Sequence, residues 1–264
     1  MPVFDGHSII KMENKEKRKK PKVLVGCPTY DGKEYCLKEY VDAVKNLDYD
    51  NYDVVLVDNS KTNDYFERIQ SFGIKSWHAN PGNMPKRAVI ATCRNLLRKL
   101  TIEDYDFFLS LEQDVIPPKD IITKLLLQRK RVISAVYNMV MDDGKKMPLL
   151  WRFLEKEEIE KLAESDPKLK EEIDNIKSDD ARFCKRYEEG ELPKNEVIKI
   201  AACGLGAVMI HKSVLKKVAF QHQSDKEAYD DMFFCRDVLR SGFEIYADTS
   251  VLCEHYQEKE FMPK

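Results

Sequence analysis

Four short apolar runs, each stopped by polar or turn-forming residues, constrain this chain more than any other feature. Val23-Leu24-Val25 leads into Gly-Cys-Pro-Thr, and Val54 to Val57 ends in Asp58-Asn59-Ser60. Phe107 to Leu111 and Val132 to Val136 supply two more. A strand that is apolar at every position has to be covered on both faces, whereas a half-exposed strand alternates. Between the runs, Leu37, Tyr40, Val41, Val44 and Leu47 recur at helical spacing, and Ala88 to Leu100 reads as a second helix. Strands alternating with helices predict an α/β fold: a Rossmann-like, mainly parallel central sheet with helices on both faces.

The second half is less regular. Glu155 to Lys177 is strongly charged, with Ile159, Leu162, Leu169, Ile173 and Ile176 sparsely placed, and reads as a helical excursion interrupted near Asp166-Pro167. Strands are expected again at Val197 to Ala202 and Ala207 to Ile210, then a helix over Asp231 to Ser241. Phe243 to Ala247 and Val251 to Cys253 close the pattern. Residues 21–264 thus read as one domain behind a disordered basic tail, residues 1–20. Lys15, Lys17, Arg18, Lys19 and Lys20 of that tail offer peripheral contact with an anionic membrane surface, the plainer alternative being a solvated charge run.

Bulk properties narrow the classes further. A net charge of −2 gives no general pull towards nucleic acid, and none is expected as a partner. The seven cysteines form no C-x-x-C pair and several sit in apolar runs, which predicts reduced thiols and a cytoplasmic setting, with any membrane contact at its inner face. No apolar run approaches the roughly 20 residues that span a bilayer.

Three clusters carry chemical potential. Glu112-Gln113-Asp114 follows directly on the third apolar run; alternate side chains on extended backbone share a face, so Glu112 and Asp114 project together. Two carboxylates at a strand's C-terminal end suit a hard divalent ion, and that end is where ligands sit in open α/β sheets. Asp230-Asp231 opens a helix; one of the two is expected as a cap and the other is a candidate general base. His255, beyond the last strand, gains meaning only if it joins Asp114 at a metal. Gly204-Leu205-Gly206 is misplaced for a dinucleotide fingerprint and is expected to let backbone approach a sugar or to form a tight bend. Arg94 is either a phosphate partner or an ordinary surface helix cation.

Taken in order, these segments resemble the inverting GT-A glycosyltransferases of family 2. Val23 to Tyr30 is similar to that family's opening strand and Pro-Thr-Tyr turn, and Val54 to Ser60 to its second strand with an acidic end. Arg94-Asn95 matches the Ala-Arg-Asn type of helix, and Glu112-Gln113-Asp114 falls at the Asp-x-Asp metal motif. Gly204 to Ile210 with His211 to Val214, and Asp230 to Arg236 with Gly242, look like the acceptor-side segments. The resemblance covers residues 22–256. It implies a hexosyltransferase-like enzyme moving a sugar from a nucleoside-diphosphate sugar to an acceptor hydroxyl of a glycan, lipid or protein, with Mn2+ or Mg2+. Thr29, Tyr30, Asp58, Arg94, Glu112 and Gly206 would bind the donor. Asp114 and His255 would hold the metal, with Glu112 helping directly or through water. Asp231, or failing that Asp230, would be the base. Residues from about 145 to 196 would form an acceptor-side helical insertion. Two departures stand out: Glu112 replaces the usual first Asp, and Asp230 the usual Glu.

Two other classes compete. A sugar nucleotidyltransferase shares such folds, but its first strand normally leads into a Gly-rich, basic loop, where this chain has Gly26-Cys27-Pro28-Thr29-Tyr30-Asp31. A non-catalytic nucleotide-sugar or carbohydrate-binding protein would have no need of Asp114, Asp231 and His255 together.

Overall fold

The computed structural model describes residues 20–164, 183–223 and 230–257. The basic tail up to residue 19 and residues 165–182, which include the later part of the charged excursion and its expected break near Asp166-Pro167, lie outside the described residues. The chain opens with β1 (Val23–Thr29), a 3-10 turn (Asp31–Cys36) and α1 (Leu37–Lys45). It continues through β2 (Tyr52–Asp58), α2 (Asp64–Ser71), β3 (Lys75–His78), α3 (Lys86–Asp104) and β4 (Phe107–Leu111). Next come β5 (Val115–Ile116), α4 (Ile121–Leu127) and β6 (Val132–Val136). A region of short strands follows: β7 (Asn138–Val140), β8 (Lys146–Pro148), β9 (Leu150–Phe153), then α5 (Lys156–Ala163) and β10 (Cys184–Arg186). The chain re-enters the main sheet with β11 (Val197–Ile200), β12 (Ala202–Cys203), β13 (Ala207–His211) and α6 (Lys212–Leu215). It ends in α7 (Asp230–Arg240), β14 (Ile245–Leu252) and β15 (Glu254–His255).

Eight strands form the central sheet in the order β11-β14-β6-β13-β4-β1-β2-β3. Pairing is parallel from β4 through β1 and β2 to β3, and between β14 and β6; β13 and β11 run antiparallel to their neighbours. The sheet is therefore mostly parallel, as the apolar runs predict. Alternation within those runs explains how both faces are filled. Val23, Val25 and Cys27 join Tyr40, Val41 and Ile69 of α1 and α2, with Ile122 and Leu125 of α4, in one core. Leu24, Val55 and Phe108 join Cys93 and Leu97 of α3, with Val214 and Phe234 of α6 and α7, in the other. Gly26 is where the sheet tolerates no side chain, because an added Cβ would lie 2.0 Å from the Val55 carbonyl oxygen.

The structure corrects three expectations. Phe243–Ala247 and Val251–Cys253 are not separate strands; β14 runs through the polar Asp248-Thr249-Ser250, with a register shift between Ala247 and Leu252. Asp248 makes this possible by accepting from the Ser250 N–H and hydroxyl and from Gln128. Val197–Ala202 splits between two sheets, since β12 pairs with β9. The region 145–196 is not wholly helical either: its described part contains β8, β9 and β10, and only α5 is helix, locked at its start by Glu158 accepting from the Glu155 N–H and pairing with Arg152. All seven cysteines are free thiols, five of them buried. Among the described residues no helix is long and apolar enough to cross a membrane.

Candidate active site

The C-terminal ends of β1 and β4 and the start of α7 converge on a cavity of about 470 Å³. Seven of the residues singled out from sequence line it: Thr29, Tyr30, Arg94, Glu112, Asp114, Asp230 and Asp231. His255 lines an adjoining cavity of about 590 Å³ that shares Tyr30, Lys33, Glu112 and Asp114 with the first. Neither Asp58 nor Gly206 lines either space.

Glu112 and Asp114 sit on a tight turn, not on extended backbone, closed by the Val115 N–H donating to the Glu112 carbonyl at 2.9 Å. Both carboxylates nevertheless reach the cavity, and the buried Gln113 between them lines it as well. Gln113 accepts from the hydroxyls of Thr29 and Tyr65 and donates to the Lys33 carbonyl. The β15–β5 ladder sets His255 against Val115, and the Tyr256 N–H donates to the Asp114 carbonyl at 2.7 Å, so the C-terminal strand fixes this turn from outside.

Asp114 is 6% exposed. Its Oδ2 contacts the Lys33 ammonium and stands 3.4 Å from His255 Nε2. Its Oδ1 is buried and has no hydrogen-bond partner among the described residues. Burial pushes the Asp114 carboxyl up, but His255 and Lys33 outweigh it and hold the pKa below the ordinary value. His255 responds in the opposite sense: burial opposes its charged form, and Asp114 raises its pKa regardless. The imidazole is oriented by its Nδ1, which donates to the Asn138 carbonyl at 2.9 Å and leaves Nε2 for the Asp114 side. A histidine so anchored, beside a buried carboxylate oxygen without a partner, suits a hard divalent ion. Among the described residues there is no group of three His, Cys, Asp or Glu donors close enough to hold a metal alone. A bound ion would complete its sphere with ligand oxygens and water, the usual habit of Mg2+.

Arg94 is neither a surface cation nor free for a phosphate. It is 3% exposed on α3. Its Nε lies 2.8 Å from Asp230 Oδ2, Nη2 donates to Glu112, and Nη1 donates to Ser110 Oγ at 2.8 Å. One guanidinium thus ties the turn after β4 to the first residue of α7. Asp230, although it faces Arg94, has its pKa raised because burial dominates. Asp231, partly exposed beside it, is lifted to about 6, first by burial and then by the Asp230 charge. Its Oδ1 accepts from the Met232 N–H at 2.7 Å, a capping contact at the helix start.

Three donor-side expectations change. Asp58 is fully buried; Oδ1 accepts from the Ser60 N–H and hydroxyl, and Oδ2 meets His78 Nδ1 at 2.9 Å. It shapes the loop after β2 and offers no free oxygen, while Asn59 lines the cavity in its place. Thr29 lines the cavity, yet its hydroxyl is already donated to Gln113. Gly204 and Gly206 make room for Tyr137: an added Cβ would fall 2.2 Å from the Tyr137 hydroxyl at Gly204 and 2.6 Å from its ring at Gly206. The Gly206 N–H donates to that hydroxyl at 3.0 Å. Sequence reasoning missed Lys33, Gln113 and Tyr137 altogether. Of these only Gln113 carried a signal, as the polar residue between two candidate carboxylates.

No family model matches the chain, and no curated protein matches its sequence. Solved structures do. GalNAc-T7 with UDP, GalNAc and Mn2+ superposes with a TM-score of 0.61 at 11% identity, over 93% of this chain and 46% of that one. The mannosyltransferase PcManGT from Pyrobaculum calidifontis, in complex with GDP-Man and Mn2+, gives 0.55 at 13% identity, over 91% and 59%. S. aureus TarS gives 0.50 at 14% identity, over 89% and 37%. The chain spans less than two thirds of each of these three proteins. With six of its central strands aligned in one direction and its carboxylates gathered at their C-terminal ends, this chain has a GT-A-like glycosyltransferase fold.

Proposed function

We propose that this protein transfers a sugar from a nucleoside-diphosphate sugar to an acceptor hydroxyl, with inversion and with Mn2+ or Mg2+. The observation that carries the reading is one cavity holding Asp114, with its unpartnered buried oxygen, and Asp231, whose pKa near 6 suits a base at neutral pH. GalNAc-T7 and PcManGT, with a nucleotide or nucleotide sugar and Mn2+ in their structures, support the donor class and the metal.

Asp114 and His255 would hold the ion, which would supply Lewis-acid stabilisation of negative charge on a diphosphate leaving group. Tyr30 and Asn59, at the ends of β1 and β2, take the nucleoside contacts that Asp58 and Thr29 are not free to make. Asp231 removes the acceptor's proton as its oxygen bonds to the anomeric carbon. The bond from that carbon to the diphosphate breaks, and the nucleoside diphosphate leaves with the electron pair. A single in-line displacement inverts the anomeric centre. Asp230 stays ion-paired to Arg94 and positions Asp231. The acceptor is a glycan, lipid or protein hydroxyl, with peripheral membrane contact through the basic tail in the lipid case.

The test is thermal unfolding against a panel of nucleoside diphosphates and their sugars, with and without Mn2+. A Mn2+-dependent rise for one nucleotide that is absent in Asp114→Asn is the expected outcome. Stabilisation by a nucleoside triphosphate with a sugar 1-phosphate, together with pyrophosphate release, would instead establish a nucleotidyltransferase. Donor binding without transfer to any acceptor would favour a binding protein.

A further inference from the structure

Two positively chargeable groups converge on one oxygen of Asp114, and only one of them, His255, belongs to the metal set proposed above. The other is Lys33. We propose that Lys33 is a built-in counter-cation that occupies the Asp114 carboxylate until a divalent ion displaces it, whereupon its ammonium turns to the diphosphate of the donor. The proposal rests on the metal-dependent reading of the site and deepens it.

Three features carry it. First, Asp114 is buried, and a buried carboxylate is costly without a compensating charge. The Lys33 ammonium supplies that charge at Oδ2, while Oδ1 is left with no partner. Second, the backbone of Lys33 is pinned, and its ammonium is held at Asp114. The Lys33 N–H donates to the Tyr30 carbonyl at 2.9 Å, and the Lys33 carbonyl accepts from Gln113 Nε2 at 2.6 Å and from the Cys36 thiol at 3.4 Å. From that fixed root the flexible four-carbon stem lets the ammonium exchange one anion for another. Third, Lys33 lines both cavities, so an ammonium released from Asp114 remains inside the site. Arg94 cannot serve there, because Glu112, Asp230 and Ser110 already hold it. A monovalent and a divalent cation repel at one carboxylate, so Lys33 weakens binding of the ion, and a diphosphate that takes the ammonium relieves the repulsion. Metal and donor then bind cooperatively, since each removes an obstacle to the other.

The experiment measures Mn2+ alone, by electron paramagnetic resonance titration, on wild type, Lys33→Met, Lys33→Arg and Asp114→Asn. Folding of each is checked by thermal unfolding. Without nucleotide, Lys33→Met is expected to bind Mn2+ about tenfold more tightly than wild type, and Lys33→Arg no more tightly. At saturating Mn2+, Lys33→Met is expected to bind the nucleoside diphosphate about tenfold more weakly. Unchanged or weaker Mn2+ binding in folded Lys33→Met, with Asp114-dependent binding intact in wild type, would overturn the proposal and leave the metal site standing. Tighter Mn2+ with unchanged nucleotide affinity would overturn the transfer of the ammonium to diphosphate. Absence of Mn2+ binding in wild type and Lys33→Met alike, with or without nucleotide, would overturn both this proposal and the metal-dependent reading beneath it.

Discussion

Replacing the proposed base should make the protein more stable while removing its activity. Asp231 is partly exposed, and its pKa stands at about 6 against an ordinary 3.8. That difference makes the ionised form costlier in the fold by roughly 3 kcal/mol before screening. Partial exposure leaves roughly 1–2 kcal/mol of it. Because the folded protein holds this proton more tightly than the unfolded chain, the group's contribution to stability is complete below about pH 4 and is lost as pH climbs through about 6. Asn does not titrate, and its carbonyl oxygen can still accept from the Met232 N–H. Asp231→Asn should therefore match wild type near pH 4, gain across the window from 4 to 6, and hold that gain above it. At pH 8 the expected rise in Tm is about 3–6 °C for a domain of this size. The assay is thermal unfolding of both proteins from pH 4 to 8 in chelator, paired with a transfer assay in which the variant is slower by roughly 10²–10⁴. A variant less stable than wild type at pH 8, or a difference that does not change with pH, would refute the argument.

Two further outcomes follow from the same packing. Arg94→Met strands the buried carboxylate of Asp230 and the partner oxygen of Glu112, at a cost of about 3–5 kcal/mol in the urea unfolding free energy. The loss should be smaller at pH 5 than at pH 8, because Asp230 can then fold protonated; equal losses would argue against an ionised Asp230. Gly204→Ala drives a methyl group into the Tyr137 hydroxyl and should cost about 1–3 kcal/mol. Tyr137→Phe removes that oxygen, so the double variant should be more stable than the sum of the two losses predicts; strict additivity would mean the contact is not what excludes the side chain.

Much of the fold was legible because local periodicity encodes it. The runs at Val23, Val54, Phe107 and Val132 all became strands of the central sheet, and the helices at Leu37, Ala88 and Asp231 appeared within a few residues of their expected bounds. What was hidden depends on partners distant in sequence. Arg94 reads as a surface cation until α3 is laid against Glu112 and Asp230, and Lys33 reads as one more loop lysine until Asp114, 81 positions away, is brought beside it. Asp58 misled for a related reason. An acidic residue at a strand's end invites a ligand, yet two residues later Ser60 consumes one of its oxygens, and the same pairing recurs at Asp248 and Ser250. The direction of β13 was also not legible, because an apolar run carries no sign of which way it lies in the sheet.

That reversed strand has a mechanical consequence. The segment leading into β13 is gripped from both halves of the site: the Gly206 carbonyl accepts from the Glu112 N–H, and the Leu205 carbonyl accepts from the Ser110 hydroxyl and from Arg94. Arg94 is in turn clamped to the first residue of the helix that bears Asp231. The turn that bears Asp114 and the helix that bears Asp231 are thus joined through two residues, Leu205 and Gly206. A displacement there is felt at both, so one short segment of backbone sets how Asp114 and Asp231 lie relative to each other.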